Sequence, residues 1–185
     1  MKKRSSVFIA TSLDGFIARK DGGLDWLDEA NETVPEGEDC GYNSFMKSVD
    51  ILIMGRNTYE KVLSFGKWPY ESKPVIVMSS KAIKISSALA QTVSHSSESP
   101  EILCNRLFKE GKEHLYIDGG NTIQRFLAAG MVSELTVTII PVIIGNGIPL
   151  FNHENKDIML KRIKTKSYEF GFNQLSYEVE NNITE

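Results

Sequence analysis

The stretch HLYIDGGNTIQRFLAAGMVSEL, residues 114–135, decides how the chain folds. Leu115, Tyr116 and Ile117 form an apolar run of strand length, Gly119 and Gly120 punctuate it, and Ile123, Phe126, Leu127 and Met131 recur at helical spacing. Asn121 or Thr122 is expected near the helix cap. A strand that enters a helix through paired glycines lets the first helical N–H groups approach an anion, and the helix dipole adds to the attraction. Phosphate is the commonest such anion. The same glycine pair also serves a tight strand-to-helix turn that holds no ligand, because a short glycine motif carries little information alone.

Working outward, residues 7–11, 50–54 and 74–78 read as strands buried on both faces. Residues 38–49 and 56–63 have helical spacing, and a further helix is expected over about residues 99–109. Strands that alternate with helices imply an α/β domain whose largely parallel central sheet is flanked by helices, since each parallel crossover needs one. The last third differs. Residues 134–144 form a long β-branched run, and residues 159–168 and 174–179 alternate apolar with polar around a turn at Gly171. They are expected to add antiparallel strands at the sheet edge. The serine-rich residues 94–100 read as a loop, and residues 1–185 as one domain.

The composition is that of an ordinary globular protein, 41% hydrophobic and 24% charged, and a net charge of -3 argues against nucleic-acid binding. The basic cluster Lys2, Lys3, Arg4 is followed by only four apolar residues before Thr11 and Ser12, and no segment approaches membrane-spanning length. A cytoplasmic protein without membrane partners is expected. Cys40 and Cys104 lack the spacing of a disulfide framework or zinc site, and His95, His114 and His153 are scattered, so no metal is expected.

Three segments place glycine or polar residues where strands should end: MGRNTYE at residues 54–60, VMSSK at 77–81 and DGGNT at 118–122. Open α/β sheets bind ligands outside the carboxyl ends of their strands, so the three together favour a phosphate-rich ligand. Gly55 would permit close approach, Arg56 offers a permanently charged planar donor, and Thr58 adds a hydroxyl. Taken singly, Arg56 is equally a surface ion-pairing residue, and Ser79, Ser80 and Lys81 are a solvated turn.

The ordered series SLDGFIA, GGLDWL, MGRNTYE, VIVMSS, IDGGNTIQRFL and ELTVTIIPVIIGNGIPLF resembles the dihydrofolate reductase-like superfamily. Within it the chain is similar to the branch that contains the reductase domain of bacterial riboflavin biosynthesis and its small stand-alone relatives. The resemblance implies NADPH as cofactor, with Arg56 near the adenosine 2′-phosphate, Thr58 near the phosphates, and Ser79 and Ser80 beside the adenine ribose. It implies that Gly55 belongs to the same segment, that Gly119, Gly120, Asn121 and Thr122 hold the pyrophosphate, and that Ala10 and Ile17 lie beside the nicotinamide.

On the substrate side, Asp14 is either a catalytic carboxylate or an ordinary turn residue. Asp25 and Trp26 resemble a mobile loop over the pocket, or else an apolar anchor beside a helix cap. Asp39 stands where a substrate-binding carboxylate is expected, although an acidic helix start also compensates the dipole. The chain departs from true dihydrofolate reductases in lacking their proline-tryptophan loop motif, and no zinc-deaminase segment accompanies it. The resemblance implies hydride transfer from NADPH to a small pterin-, pyrimidine- or pentose-like substrate, in the manner of 5-amino-6-(5-phosphoribosylamino)uracil reductase, by a homodimer. The rival readings are a non-catalytic NADP(H)-binding regulatory module and a purely structural α/β domain.

Overall fold

The computed structural model describes residues 3–152 and 157–180; His153 lies outside them. The elements run β1 (Arg4–Ser12), β2 (Phe16–Ala18), α1 (Asp25–Asn31), α2 (Tyr42–Ser48), β3 (Ile51–Gly55), α3 (Arg56–Leu63), β4 (Val75–Met78), β5 (Val93–Ser96) and α4 (Pro100–Lys109). They continue through β6 (His114–Asp118), α5 (Gly120–Ala128), β7 (Glu134–Ile140), β8 (Ile148–Pro149), β9 (Met159–Ser167) and β10 (Asn173–Glu180). Eight strands form one mixed sheet in the order β5-β4-β3-β6-β1-β7-β10-β9, and β2 pairs with β8 separately. Neighbours from β5 to β7 are parallel, whereas β10 runs antiparallel to both β7 and β9. This is the α/β architecture with antiparallel C-terminal strands that the sequence pattern predicts.

Alternation along the strands divides the core. Ile51 and Ile53 of β3, Ile76 and Met78 of β4, and Leu115 and Ile117 of β6 face Leu103 and Leu107 of α4 and Ile123 and Phe126 of α5. Leu52, Met54, Val75, Val77 and Tyr116 face the opposite way, under Tyr59 of α3 and Tyr42, Phe45 and Met46 of α2. Burial on both faces explains why these strands read as continuous apolar runs. A third cluster joins Trp26 of α1 to Ile140, Tyr168 and Phe172 beside the C-terminal strands.

Several boundaries differ from the sequence expectation for identifiable reasons. Cys40 and Gly41 both have positive φ, 54° and 85°, which stops α2 from extending back through residues 38–41. The loop expected over residues 94–100 begins instead as β5, which pairs with β4 through Ile76 and Ser94. β7 ends at Ile140 because Pro141 has no N–H to offer a ladder. The cap of α5 is Gly119, with Asn121 and Thr122 already inside the helix. The long apolar run of residues 134–140 is no edge either, being flanked by β1 and β10; the edge on that side is β9, exposed at every residue, and the opposite one is β5.

Candidate functional site

Because β1, β3, β4 and β6 are parallel, their carboxyl ends open on one edge of the sheet. Gly55 pairs with Met78, and Met54 with Asp118, so the segments starting at Arg56, Ser79 and Gly119 are neighbours. Gly55 and Gly119 cap α3 and α5, and neither cap supplies a side-chain acceptor to the first helical N–H groups. Ser99, at the start of α4, accepts the Ile102 N–H and thereby seals that helix. Two helix N-termini side by side, neither sealed by a cap side chain, present backbone donors that could receive an anion, and Arg56 adds a charge beside them. Arg56 is exposed and pairs with Glu60, one turn on, at 3.9 Å.

The glycines have a second role. A Cβ on Gly55 would lie 2.7 Å from Thr122 Oγ1, and one on Gly119 would overlap Thr58 Oγ1. Each cap glycine therefore makes room for the third residue of the other helix, so the two strand-to-helix turns interlock. Gly119 also has φ +87°, a conformation that glycine adopts without strain. A Cβ on Gly120 would come 2.9 Å from Ile17 Cδ1 and 3.3 Å from Ile148 Cγ2, which brings the β2–β8 pair against the same edge. The space vacated at all three glycines is filled by protein side chains. Ile17, Gly55, Thr58, Gly119, Gly120 and Thr122 are thus brought together. Ser79 and Ser80 follow β4 beside them, Ser79 donating its N–H to the Ser96 carbonyl at 3.0 Å, and Asn121 is exposed on the first turn of α5.

Around the far side of β1 lies a cavity of about 270 Å³. Phe8, Ala10, Leu27, Val34, Ile140 and Phe172 supply its apolar wall, and Asn31, Glu38, Asp39, Cys40, Tyr42 and Thr138 its polar groups. Asp39 accepts the Gly41 N–H at 2.8 Å and the Asn43 N–H at 2.9 Å, and these bonds hold its carboxyl below the usual range. It is an anion at neutral pH, suited to binding and unsuited to donating a proton. Glu38 accepts the Asp39 and Cys40 N–H groups and meets Lys166 Nζ at 3.7 Å.

Three expected substrate-side residues lie elsewhere. Asp14 is exposed, and its two oxygens accept the Ile144 and Gly145 N–H groups, so it pins the segment after β7 to the β1–β2 turn. Asp25 is exposed and gripped by Arg19 through contacts of 2.7 to 2.9 Å, which lowers its pKa. Trp26 is 3% exposed within the third core cluster, and its indole N–H has no acceptor among the described residues. Neither Asp25 nor Trp26 lines the cavity; Leu27 and Asn31, one helical turn apart, do. The segment expected as a mobile loop is α1, and helical phase turns Trp26 inward and Leu27 outward.

Asp118 was not singled out by sequence reasoning. It ends β6 on the face of Tyr116, is half-buried, and accepts the Gly119 N–H at 2.8 Å. Desolvation outweighs that bond and pushes its pKa up to about 6. Burial raises the pKa values of Tyr42, Tyr70 and Tyr116, taking Tyr42 to about 12, and the Asp118 charge adds to each. The signal was present: a charged residue closes an apolar strand one position before the glycine pair.

Residues 6–173 match the family model described as the RibD C-terminal domain. The chain belongs to that family. It is 36% identical over 172 residues to YwjB, an uncharacterized protein of Bacillus subtilis (strain 168), covering 91% of this chain and 94% of that one. Among solved structures it is similar to a putative riboflavin biosynthesis protein from Shewanella sp. PV-4, at 38% identity and a TM-score of 0.89, over 96% of this chain and 99% of the other. It shares its fold with the Thermotoga maritima diaminohydroxyphosphoribosylaminopyrimidine deaminase/5-amino-6-(5-phosphoribosylamino)uracil reductase, at 13% identity and a TM-score of 0.72, over 96% of this chain and 57% of that one. The family resemblance read from the sequence is therefore confirmed, and the fold is that of the reductase domains. No helix among the described residues is long and apolar enough to cross a membrane, and no group of three or more His, Cys, Asp or Glu is placed to hold a metal ion.

Proposed function

We propose that the protein is an NADPH-dependent reductase of a small pterin-, pyrimidine- or pentose-like substrate. One observation carries this reading: the anion-binding edge and the cavity share the β1–β2 segment, with Ala10 lining the cavity and Ile17 packed on Gly120. The residues present fit the cofactor. The open N-termini of α3 and α5 would hold its pyrophosphate, Arg56 its 2′-phosphate, and Ser79 and Ser80 its ribose hydroxyls. When bound, NADPH supplies a hydride. The chain's own part is to align the substrate against β1, exclude water with the apolar wall, and fix polar orientation through Asp39 and Thr138.

Turnover tests the reading and separates it from a regulatory module. The near-ultraviolet absorbance of NADPH should fall when candidate heterocycles are added. Cofactor binding without consumption across pterins, aminopyrimidines and pentose derivatives would favour the regulatory module. No binding of NADPH would refute both. The proposal includes a homodimer, supported by the exposed apolar residues Met159, Leu160 and Ile163 on β9.

A further inference from the structure

At the amino-terminal ends of β1, β6 and β7, away from the edge formed by α3 and α5, lies a second cavity of about 620 Å³. Its lining includes His114, which is only 4% exposed. A chain of hydrogen bonds runs through this imidazole from α2 to β7. Nδ1 lies 3.0 Å from the Ser48 carbonyl, and Nε2 lies 2.8 Å from Ser6 Oγ. Ser6 donates to Glu134 Oε2 at 3.0 Å, and the Ser48 hydroxyl donates to the Phe45 carbonyl at 2.7 Å.

This chain needs one hydrogen more than a neutral ring supplies. A carbonyl only accepts, so the Ser48 contact requires a hydrogen on Nδ1. The Ser6 hydroxyl gives its one hydrogen to a carboxylate, so the Ser6 contact requires a hydrogen on Nε2. Only the imidazolium satisfies both. A neutral ring that keeps Nδ1–H draws the Ser6 hydrogen to Nε2, which leaves Ser6 Oγ and Glu134 Oε2 as two facing acceptors. The other neutral tautomer sets the Nδ1 lone pair against the Ser48 carbonyl, and the Ser48 hydroxyl, 3.1 Å away, can reach Nδ1 only by leaving Phe45.

The charges around the cavity are mixed. Arg4 of β1 and Lys47 of α2 are positive, whereas Asp50 before β3, Glu113 before β6, Glu134 of β7 and Glu178 of β10 are negative. Asp50 accepts the Glu113 and His114 N–H groups, Glu134 meets Arg4 at 3.6 Å, and Glu178 stands directly opposite Glu134 across the β7–β10 pair. Burial and the Arg4 charge hold the imidazole below the usual histidine range, against the pull of the Ser48 carbonyl, Glu134 and Asp50. The ring is therefore neutral at pH 7 and gains its proton in acid.

We propose that His114 and Ser6 form a proton-operated switch. The neutral ring holds the Ser6 hydrogen and leaves Glu134 to Arg4; the imidazolium donates to Ser6, which turns its hydrogen to Glu134 and closes the chain across α2, β6, β1 and β7. The switch takes up one proton through the cavity and requires only the rotation of a hydroxyl. It does not depend on what the cavity beside β1 binds, yet one ring separates the two: Phe45 meets His114 edge to face at 5.5 Å and stacks on Phe8, which lines that other cavity, at 4.9 Å.

Nitrogen-15 labelling of the histidines in the full chain tests the switch, with the His114 signals assigned by comparison with His95→Gln and His153→Gln proteins. The ring shifts should show the neutral Nδ1–H form at pH 8. They should show conversion to the imidazolium in the folded protein, with a midpoint below the free-histidine value of about 6.5. Glu134→Gln keeps an acceptor but loses the charge, and Ser6→Ala removes the link but leaves the charge. Each should lower the midpoint by about one pH unit, a tenfold loss of proton affinity, as expected when one charge-assisted bond is weakened. Circular dichroism at each pH identifies the folded range, and Glu134→Gln, at a half-buried position, decides alone if Ser6→Ala does not fold. A ring that stays neutral until the chain unfolds in acid overturns the proposal, as does a neutral Nε2–H form at pH 8 or a midpoint unmoved in either folded variant.

Discussion

Replacing Asp118 by Asn should make the protein more stable at neutral pH. In an unfolded chain an aspartate titrates near 3.9. In the folded protein burial raises this carboxyl to about 6, so the folded state holds the proton more tightly. Its contribution is therefore fully present below about pH 4 and is lost as pH rises through about 6. The gap of roughly two pH units, at about 1.36 kcal/mol each, places the cost of ionising Asp118 at roughly 3 kcal/mol by pH 8. Asparagine keeps an oxygen to accept the Gly119 N–H and has no charge to bury. Urea unfolding at pH 4 and pH 8, read from the fluorescence of the buried Trp26 and half-buried Trp68, measures the difference between parent and variant. It should be near zero at pH 4 and roughly 3 kcal/mol in favour of the variant at pH 8, raising its Tm by about 6 to 12 °C. A difference that stays constant across this range would show that the carboxyl is not desolvated, and the reasoning would fail.

Arg56→Ala should lower the preference for NADPH over NADH by about tenfold to a hundredfold, the worth of one charge-assisted contact, with both affinities measured by fluorescence titration. Equal affinities in the unmutated protein would remove the assigned role. Gly119→Ala should destabilise the fold by about 2 to 3 kcal/mol, combining positive φ with overlap at Thr58, and adding Thr58→Ala should restore only the overlap part. Identical stabilities of the single and double variants in denaturant titrations would disprove the interlock. Light scattering should give a mass about twice the 20.7 kDa of the chain, and Ile163→Lys, at a position 59% exposed, should return it to that of one chain. A monomeric parent would rule the dimer out.

The parallel strands were legible because β3, β4 and β6 are buried on both faces, and continuous apolar runs such as ILIM and VIVM advertise this. Short elements were not. β2 has three residues and β8 two, too few for any period to register, and β5 reads VSHS, polar at three positions. The one buried residue of α1, Trp26, gives no repeating stripe, so the sequence there reads equally as a loop or as an apolar anchor beside a helix cap. At the site, the sequence located the strand-end segments because three of them place glycine or hydroxyl residues where parallel strands end. It could not show that Gly55 and Gly119 accommodate each other's neighbours, because that contact spans two turns far apart in the chain. Nor could spacing reveal that the oxygens of Asp14 and Asp39 are tied to backbone N–H groups.

The edge strand β9 carries an irregularity with a wider consequence. Lys164 pairs with Ser176 and Arg162 with Tyr177, so Ile163 is an extra residue in the ladder and breaks the register. The outer hydrogen-bonding groups of β9 therefore fall into two short runs out of line with each other. A straight strand from another molecule can match one run and must miss the other. Lys161, Arg162, Lys164 and Lys166 would also confront their own copies if two such edges met. An open-ended sheet running from molecule to molecule is thus blocked both by geometry and by charge. A second copy pairing with this edge would meet the side chain of Ile163, which is exposed, before it met a continuous ladder, and the same irregularity that guards against fibres would favour a finite contact over an endless one.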